Sequence, residues 1–254
     1  MKTLYARPEA LQPCLTHYCP GCGHGIAHRL IAEALDELGV RERAVGMAPV
    51  GCAVLAHKYL KVDMCEPAHG RTVAAAVGVK RVRPECVVFS YQGDGDLAAI
   101  GTAETIHAAN RGEPVTVFFI NNAVYGMTGG QMAPTTMLEQ RTATTPVGRK
   151  ADYHGHPIRV CELLATLDGP AYLERVALSS PARIRRAKKA VLKAFITQIE
   201  HNGYALIEFL SPCPTHWRLS PVEAMRFVEE EMTKVFPLGV FRDWENEPKG
   251  AESA

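Results

Sequence analysis

Short apolar runs alternate along this chain with longer stretches in which apolar positions recur every three or four residues. The runs AVGMAPV (44–50), CVVFSYQ (86–92), VTVFFIN (115–121), YLERVAL (172–178) and YALIEFL (204–210) predict five strands. Helices are predicted over 24–38, 70–82, 97–111, 181–201 and 221–235. The fourth has Ser180 as its cap, Pro181 in its first turn and Gly203 as its stop, and its Arg and Lys run reads as a solvated face. Strands that are apolar throughout need cover on both faces, so the alternation predicts an α/β fold with a mostly parallel sheet flanked by helices. Ligands of such sheets bind beyond the carboxyl ends of the strands, which directs attention to the segment after each run. The stretch 123–157 is rich in Gly, Thr and Pro and lacks clear periodicity, so a functional loop is expected there. The closing residues, RDWENEPKGAESA, predict a short loose tail or a partner contact.

Composition narrows the class. With 254 residues, 47% hydrophobic and 22% charged, the chain suits a single soluble domain over 1–254 with a substantial core. A net charge of +1 excludes the basic field of a nucleic-acid binder. No apolar run approaches the roughly 18 residues of a membrane span, and MKTLYARPEALQPC has no signal-peptide core. A cytoplasmic setting is expected, with no nucleic-acid or membrane partner. The eight cysteines (14, 19, 22, 52, 65, 86, 161 and 213) are then poor disulfide candidates, and any that cluster point to metal binding or catalysis.

The second run leads straight into GDGDLAAIGTAETIHAANR, and the third ends in NNAVYGMTGGQ. Gly93 and Gly95 let backbone approach a ligand closely, and the helix start behind them favours an anion. Asp94 adds a hard oxygen donor suited to Mg²⁺ that keeps phosphate oxygens in its shell. If the two runs are neighbouring strands, Asn121 and Asn122 emerge beside this turn. Either motif alone would read as an ordinary turn; an acid after one strand and an amide after the next, 28 residues later, point to a diphosphate and magnesium site.

Near the amino terminus, THYCPGCGHG holds Cys19 and Cys22 three apart. Three chemistries compete. Structural zinc usually takes two close pairs of ligands, and this chain has one Cys-x-x-Cys. A thioredoxin-like redox pair would open a helix. An iron–sulfur cluster needs four thiolates, which distant segments can supply. Cys52 in PVGCAV and Cys213 in LSPCPTHW both follow predicted strands, on the end of the sheet expected to carry Asp94 and Asn122. Cys86 and Cys161 read as core thiols, and Cys14 and Cys65 as loop residues.

GDG followed by NN resembles the thiamine diphosphate motif. With HYCPGCGHGI upstream, TGGQMAPTT after it and LSPCPTHW downstream, residues 14–235 resemble the β subunit of 2-oxoacid:ferredoxin oxidoreductases, closest to the 2-oxoisovalerate and 2-oxoglutarate members. The resemblance implies a thiamine diphosphate-binding fold with an amino-terminal cluster-binding segment. Asp94, the side chain of Asn122 and the carbonyl of Val124 would ligate Mg²⁺, and Gly93, Gly95 and Asp96 would line the diphosphate. Tyr125, Gly126, Thr128 and Gln131 would wrap the cofactor, with His69 near the reacting centre and Met127 against the substrate. Cys19, Cys22, Cys52 and Cys213 would hold one [4Fe-4S] cluster. The implied activity is coenzyme A-dependent oxidative decarboxylation of a 2-oxoacid, with electrons passing to ferredoxin or a ferredoxin-like subunit. A branched-chain substrate is expected, since an apolar Met127 suits it, and 2-oxoglutarate is the alternative. The implied α subunit would supply the Glu that activates the aminopyrimidine. A non-oxidative thiamine enzyme half and a bare electron-transfer module are the remaining alternatives.

Overall fold

Every one of the five apolar runs forms a strand, and the two that carry GDG and NN lie side by side. The computed structural model describes residues 6–246. Its strands are β1 (Ala44–Met47), β2 (Asp63–Cys65), β3 (Val87–Gly93), β4 (Thr116–Asn121), β5 (Val124–Tyr125), β6 (Gln131–Met132), β7 (Pro170–Ala177), β8 (Tyr204–Leu210) and β9 (Gly239–Asp243). Its helices are α1 (His24–Glu37), α2 (Thr72–Val82), α3 (Thr102–Asn110), α4 (Ala151–His154), α5 (Val160–Leu164), α6 (Pro181–Glu200), α7 (Pro214–Trp217), α8 (Pro221–Phe227) and α9 (Thr233–Val235). Seven strands make one sheet in the order β2-β1-β3-β4-β8-β7-β9, parallel except for β9, and β5 and β6 form a separate antiparallel hairpin.

The strands β4, β7 and β8 are buried at every position because helices cover both faces. One face carries α1 and α6. The buried residues of α6, Ala187, Ala190, Val191, Ala194, Phe195 and Gln198, recur at helical spacing and lay Phe195 across Phe118, with ring centroids 5.2 Å apart in a T-shaped contact. Ser180 caps this helix by accepting from the Arg183 N–H, with Pro181 next to the cap, as its sequence implies. The opposite face packs α2, α3 and α5 against Val88, Val117, Phe119 and Leu206.

Several boundaries differ from the pattern. Both edge strands, β2 and β9, escaped it because they are short and only partly buried, with no continuous apolar run to mark them. The helix expected over 97–111 begins as a π turn, Asp96–Ile100, before α3, and the one expected over 221–235 contains a second π turn, Val228–Met232. Turns of this kind recur at functional sites, and the first lies directly behind the GDG segment. The tail does not start where composition placed it. Arg242 and Asp243 belong to β9, the Trp244 N–H donates to the Ala171 carbonyl at 2.9 Å, and the Trp244 ring stacks on His201 at 4.5 Å. The rest of the expected tail, 247–254, lies outside the described residues. Among the described residues no helix is long and apolar enough to cross a membrane.

Candidate cofactor site

A cleft of about 370 Å³ opens at the carboxyl ends of β1, β3 and β4. Its lining comes from 50–53, His69, Gly93–Asp96, Ala99 and Ile100, and Asn122 with 124–128, joined by His24 from α1. Parallel pairing of β3 with β4 (Gly93 opposite Ile120) brings the two motifs together. The Asp94 carboxylate accepts from the Asn122 backbone N–H at 3.2 Å and from the Thr135 hydroxyl. These partners are neutral and Asp94 is only 2% exposed, so burial raises its carboxyl to about 7. A buried carboxylate with neutral partners gains most from a cation, and the donor set of Asp94 and the Asn122 amide is the hard-oxygen chemistry that Mg²⁺ takes. Directly after Asn122, Ala123 has φ 59°, the left-handed region that costs a non-glycine residue about 1 kcal/mol or more. Thr136 fixes that residue by donating to its carbonyl at 2.6 Å.

Asp96 behaves differently from its neighbour. Its carboxylate is already engaged by His69 Nδ1 (2.7 Å), the Gly70 N–H (2.5 Å), Thr72 Oγ1 (2.7 Å) and Gln92 Nε2 (2.7 Å). Asp96 belongs to the cleft wall, and its acid group also fixes the 69–72 segment. With Nδ1 held by Asp96, the other ring nitrogen of His69 is the one left for the cleft. Gly95 lies between this histidine and Tyr125, whose ring would be 3.3 Å from a Cβ added there. Met127, Val50 and Ile100 form an apolar rim, each about half exposed. Gln131 is outside the lining: its amide donates to the Thr128 carbonyl at 2.9 Å, closing the loop on itself.

The four cysteines converge on the same region from three segments. Cys19 and Cys22 occupy a tight turn, with the Cys22 N–H donating to the Cys19 carbonyl at 3.0 Å. At Gly126 the two chemistries come near each other. A Cβ there would be 3.2 Å from Cys52 Sγ, 3.9 Å from Cys213 Sγ and 3.9 Å from Asn122 Nδ2. Burial pushes the Cys52 thiol up to about 11 and Cys213 up to about 12, and both feel Cys19 and Cys22; Cys52 also feels the Asp94 carboxylate. Burial raises Cys22 as well. Among the described residues no three His, Cys, Asp or Glu side chains form a ready-made single-ion site. Cys86 and Cys161 are buried core thiols as expected, whereas Cys65 ends β2 instead of lying in a loop.

Sequence patterns did not reveal the supports of this site. Under the cysteines, Tyr18 stacks on His24 at 4.6 Å, His24 Nδ1 pairs with the Tyr91 hydroxyl at 2.6 Å, and His28 Nε2 pairs with the Tyr18 hydroxyl at 2.8 Å. Burial lowers both His24 and His28 to about 3, so they are neutral rings filling a buried floor. Trp217 donates its indole N–H to the Asn122 carbonyl at 3.1 Å, linking α7, which begins just after Cys213, to the Asn122 turn. Arg149, 3% exposed, donates to the carbonyls of Ala133, Pro134, Thr136, His154, Gly155 and His156, which folds the long loop so that Thr135 reaches Asp94. Tyr18, His24, Thr135, Thr136 and Trp217 stood inside quoted strings (HYCPGCGHGI, TGGQMAPTT and LSPCPTHW) without a role read for them, and nothing local marks His28 or Arg149.

This fold and cleft define a thiamine-binding α/β domain, and residues 49–209 match the family described as the thiamine pyrophosphate enzyme C-terminal TPP binding domain. Within that class the chain belongs to the subunits of 2-oxoacid:ferredoxin oxidoreductases. It is 54% identical over 240 residues to ketoisovalerate oxidoreductase subunit VorA of Methanothermobacter thermautotrophicus, covering 94% of this chain and 50% of that protein. It is 33% identical over 234 residues to 2-oxoglutarate synthase subunit KorB of Archaeoglobus fulgidus, covering 92% and 83%. Among solved structures, the 2-oxoglutarate:ferredoxin oxidoreductase from Magnetococcus marinus, with 2-oxoglutarate, coenzyme A and succinyl-CoA bound, matches with a TM-score of 0.76 at 25% identity, over 95% of this chain and 86% of that one. The chain spans about half the length of the ketoisovalerate relatives it matches.

Proposed function

We propose that this chain is the thiamine diphosphate-binding part of a coenzyme A-acylating 2-oxoacid:ferredoxin oxidoreductase. Asp94, the Asn122 side chain and the Val124 carbonyl hold Mg²⁺, and Cys19, Cys22, Cys52 and Cys213 hold one [4Fe-4S] cluster. The observation that carries this reading is the meeting at Gly126, where two cysteine sulfurs and the Asn122 amide share one small space. A decarboxylase or carboligase has no use for thiols beside its diphosphate site, and an electron-transfer module has no use for the Asp94 turn.

The net reaction takes one 2-oxoacid, one coenzyme A and two oxidised ferredoxins to acyl-CoA, carbon dioxide, one proton and two reduced ferredoxins. When bound, the thiamine supplies the carbon nucleophile and electron sink, and the cluster supplies a one-electron exit. The residues of this chain provide position and environment. Gly93 and Gly95 leave backbone room for the diphosphate, and Tyr125, Gly126 and Thr128 wrap the cofactor; Gln131 braces that loop through Thr128. Asp96 fixes the His69 tautomer so that the free ring nitrogen serves the reacting centre. The neutral His24 and His28 rings fill the buried floor beside the cysteine turn. The pyrimidine-activating Glu is assigned to an α subunit, and ferredoxin or a ferredoxin-like subunit takes the electrons. A cytoplasmic setting suits this chemistry, since reducing compartments keep thiols available for metal.

A branched-chain substrate such as 2-oxoisovalerate is favoured. The ketoisovalerate relatives are 54% and 52% identical, against 33% for the Archaeoglobus 2-oxoglutarate relative, and the Met127, Val50 and Ile100 rim gives a second carboxylate no partner. A substrate panel on the anaerobically assembled complex, with a viologen dye as acceptor, tests this. Turnover efficiency with 2-oxoisovalerate should exceed that with 2-oxoglutarate by about tenfold or more, the cost of a charged group left without a partner. Preference for 2-oxoglutarate would overturn the substrate assignment.

A further inference from the structure

Asn121, the first residue of the NN pair, is fully buried and turned away from the cleft. Its amide Nδ2 donates to Glu208 Oε1 at 2.7 Å, and its Oδ1 accepts from the Ala123 N–H at 3.2 Å. Glu208 in β8 pairs in turn with Arg175 Nε in β7 at 2.9 Å, and both side chains are 0% exposed. Arg175 continues to Glu162 in α5 at 3.0 and 2.5 Å and lies 4.9 Å from the Phe241 ring. Because β4, β8 and β7 are consecutive in the sheet, this is one continuous polar strap running from α5 across three strands to the Asn121 side chain.

Such a strap is an expensive way to fill a core. Burying an ion pair costs several kcal/mol of desolvation per charge, and well-packed apolar side chains of similar volume stabilise a fold as well or better. What the pair can provide is anchorage: Arg175 Nε lies 2.9 Å from Glu208 Oε2 as an ion contact without hydrogen-bond geometry, and it holds the carboxylate so that Oε1 is offered along one line. That line ends on the amide whose own oxygen caps the N–H of Ala123, the residue in the left-handed region at φ 59°. We infer that Arg175 and Glu208 are positioning residues for the magnesium-binding turn: they clamp Asn121 so that Asn122 faces Asp94. This rests on the proposed magnesium role of Asn122.

The test is calorimetric titration of thiamine diphosphate, with and without Mg²⁺, into the assembled complex. In the double variant Arg175→Met with Glu208→Leu the strap becomes apolar. Thermal stability should stay within a few degrees of the parent, while the Mg²⁺-dependent Kd rises about tenfold. Glu208→Gln, which keeps an acceptor for Asn121, should recover most of that affinity. Asn121→Ala leaves the ion pair whole and carries the same expected loss, so it decides the matter if the double variant does not fold. Parent-like affinity in these variants, or equal losses in Glu208→Gln and the double variant, would overturn the strap and leave the magnesium assignment standing. Parent protein that binds the cofactor equally well without Mg²⁺ would overturn both.

Discussion

Asp94→Ala is expected to abolish Mg²⁺-dependent thiamine diphosphate binding, a loss of at least about a hundredfold in affinity, while the iron content of the protein stays unchanged. The size follows from burial. Asp94 is 2% exposed, and burial holds its carboxyl at about 7, so its charge is costly unless a cation shares the space. Removing it takes away the one anionic donor proposed for the metal and leaves the diphosphate facing neutral groups. Asp94→Asn separates charge from shape: its one oxygen keeps the Asn122 N–H and its new NH2 can donate to the Thr135 hydroxyl, so the turn survives while the cation loses its anion. Calorimetry with each variant, with and without Mg²⁺, reads the outcome. Retained metal dependence in Asp94→Ala would refute the ligand assignment.

Cys213→Ala is expected to remove the cluster, and Cys86→Ala is not. Both thiols are buried, at 8% and 7% exposure, so burial alone does not separate them. Position does. Cys213 is within electrostatic reach of Cys19, Cys22 and Cys52, and its sulfur comes within 3.9 Å of the Gly126 Cβ position, whereas Cys86 packs at the start of β3 in the core of the opposite face. A cluster held by four thiolates loses a corner in the first variant and none in the second. Iron and sulfide analysis of anaerobically purified protein, with electron paramagnetic resonance after reduction, should show near-complete loss for Cys213→Ala. Parent-like iron in Cys86→Ala should accompany no more than the modest destabilisation of a trimmed core side chain.

The central strands were legible because parallel strands covered on both faces must be apolar throughout, which is what 115–121 and 204–210 display. The edge strands were not, since partial exposure at 63–65 and 239–243 removes that signature. The site divides in the same way. Asp94 and Asn122 stand in short motifs whose residue types announce their chemistry, and parallel pairing of β3 and β4 brings them together as adjacency requires. Their supports lie far away in sequence and act through contacts that only folding creates. Thr135 meets Asp94 across 41 residues, Glu208 meets Asn121 across 87 and Trp217 meets Asn122 across 95. Asp96 shows the limit of motif reading even at close range. It stands two residues from Asp94 in the same GDGD string and shares the cleft wall, yet its four hydrogen-bond donors give its carboxylate a second task, bracing the 69–72 segment.

Convergence of the thiols with the Asp94–Asn122 turn is the claim on which the functional reading depends, and a spin measurement tests it directly. Mn²⁺ replaces Mg²⁺ in hard-oxygen sites of this type. In the anaerobically assembled complex loaded with Mn²⁺ and thiamine diphosphate, the reduced cluster of Cys19, Cys22, Cys52 and Cys213 should show strongly accelerated spin relaxation, and Asp94→Asn should remove the effect. Cluster relaxation indifferent to bound Mn²⁺ would place the two centres apart and contradict the account.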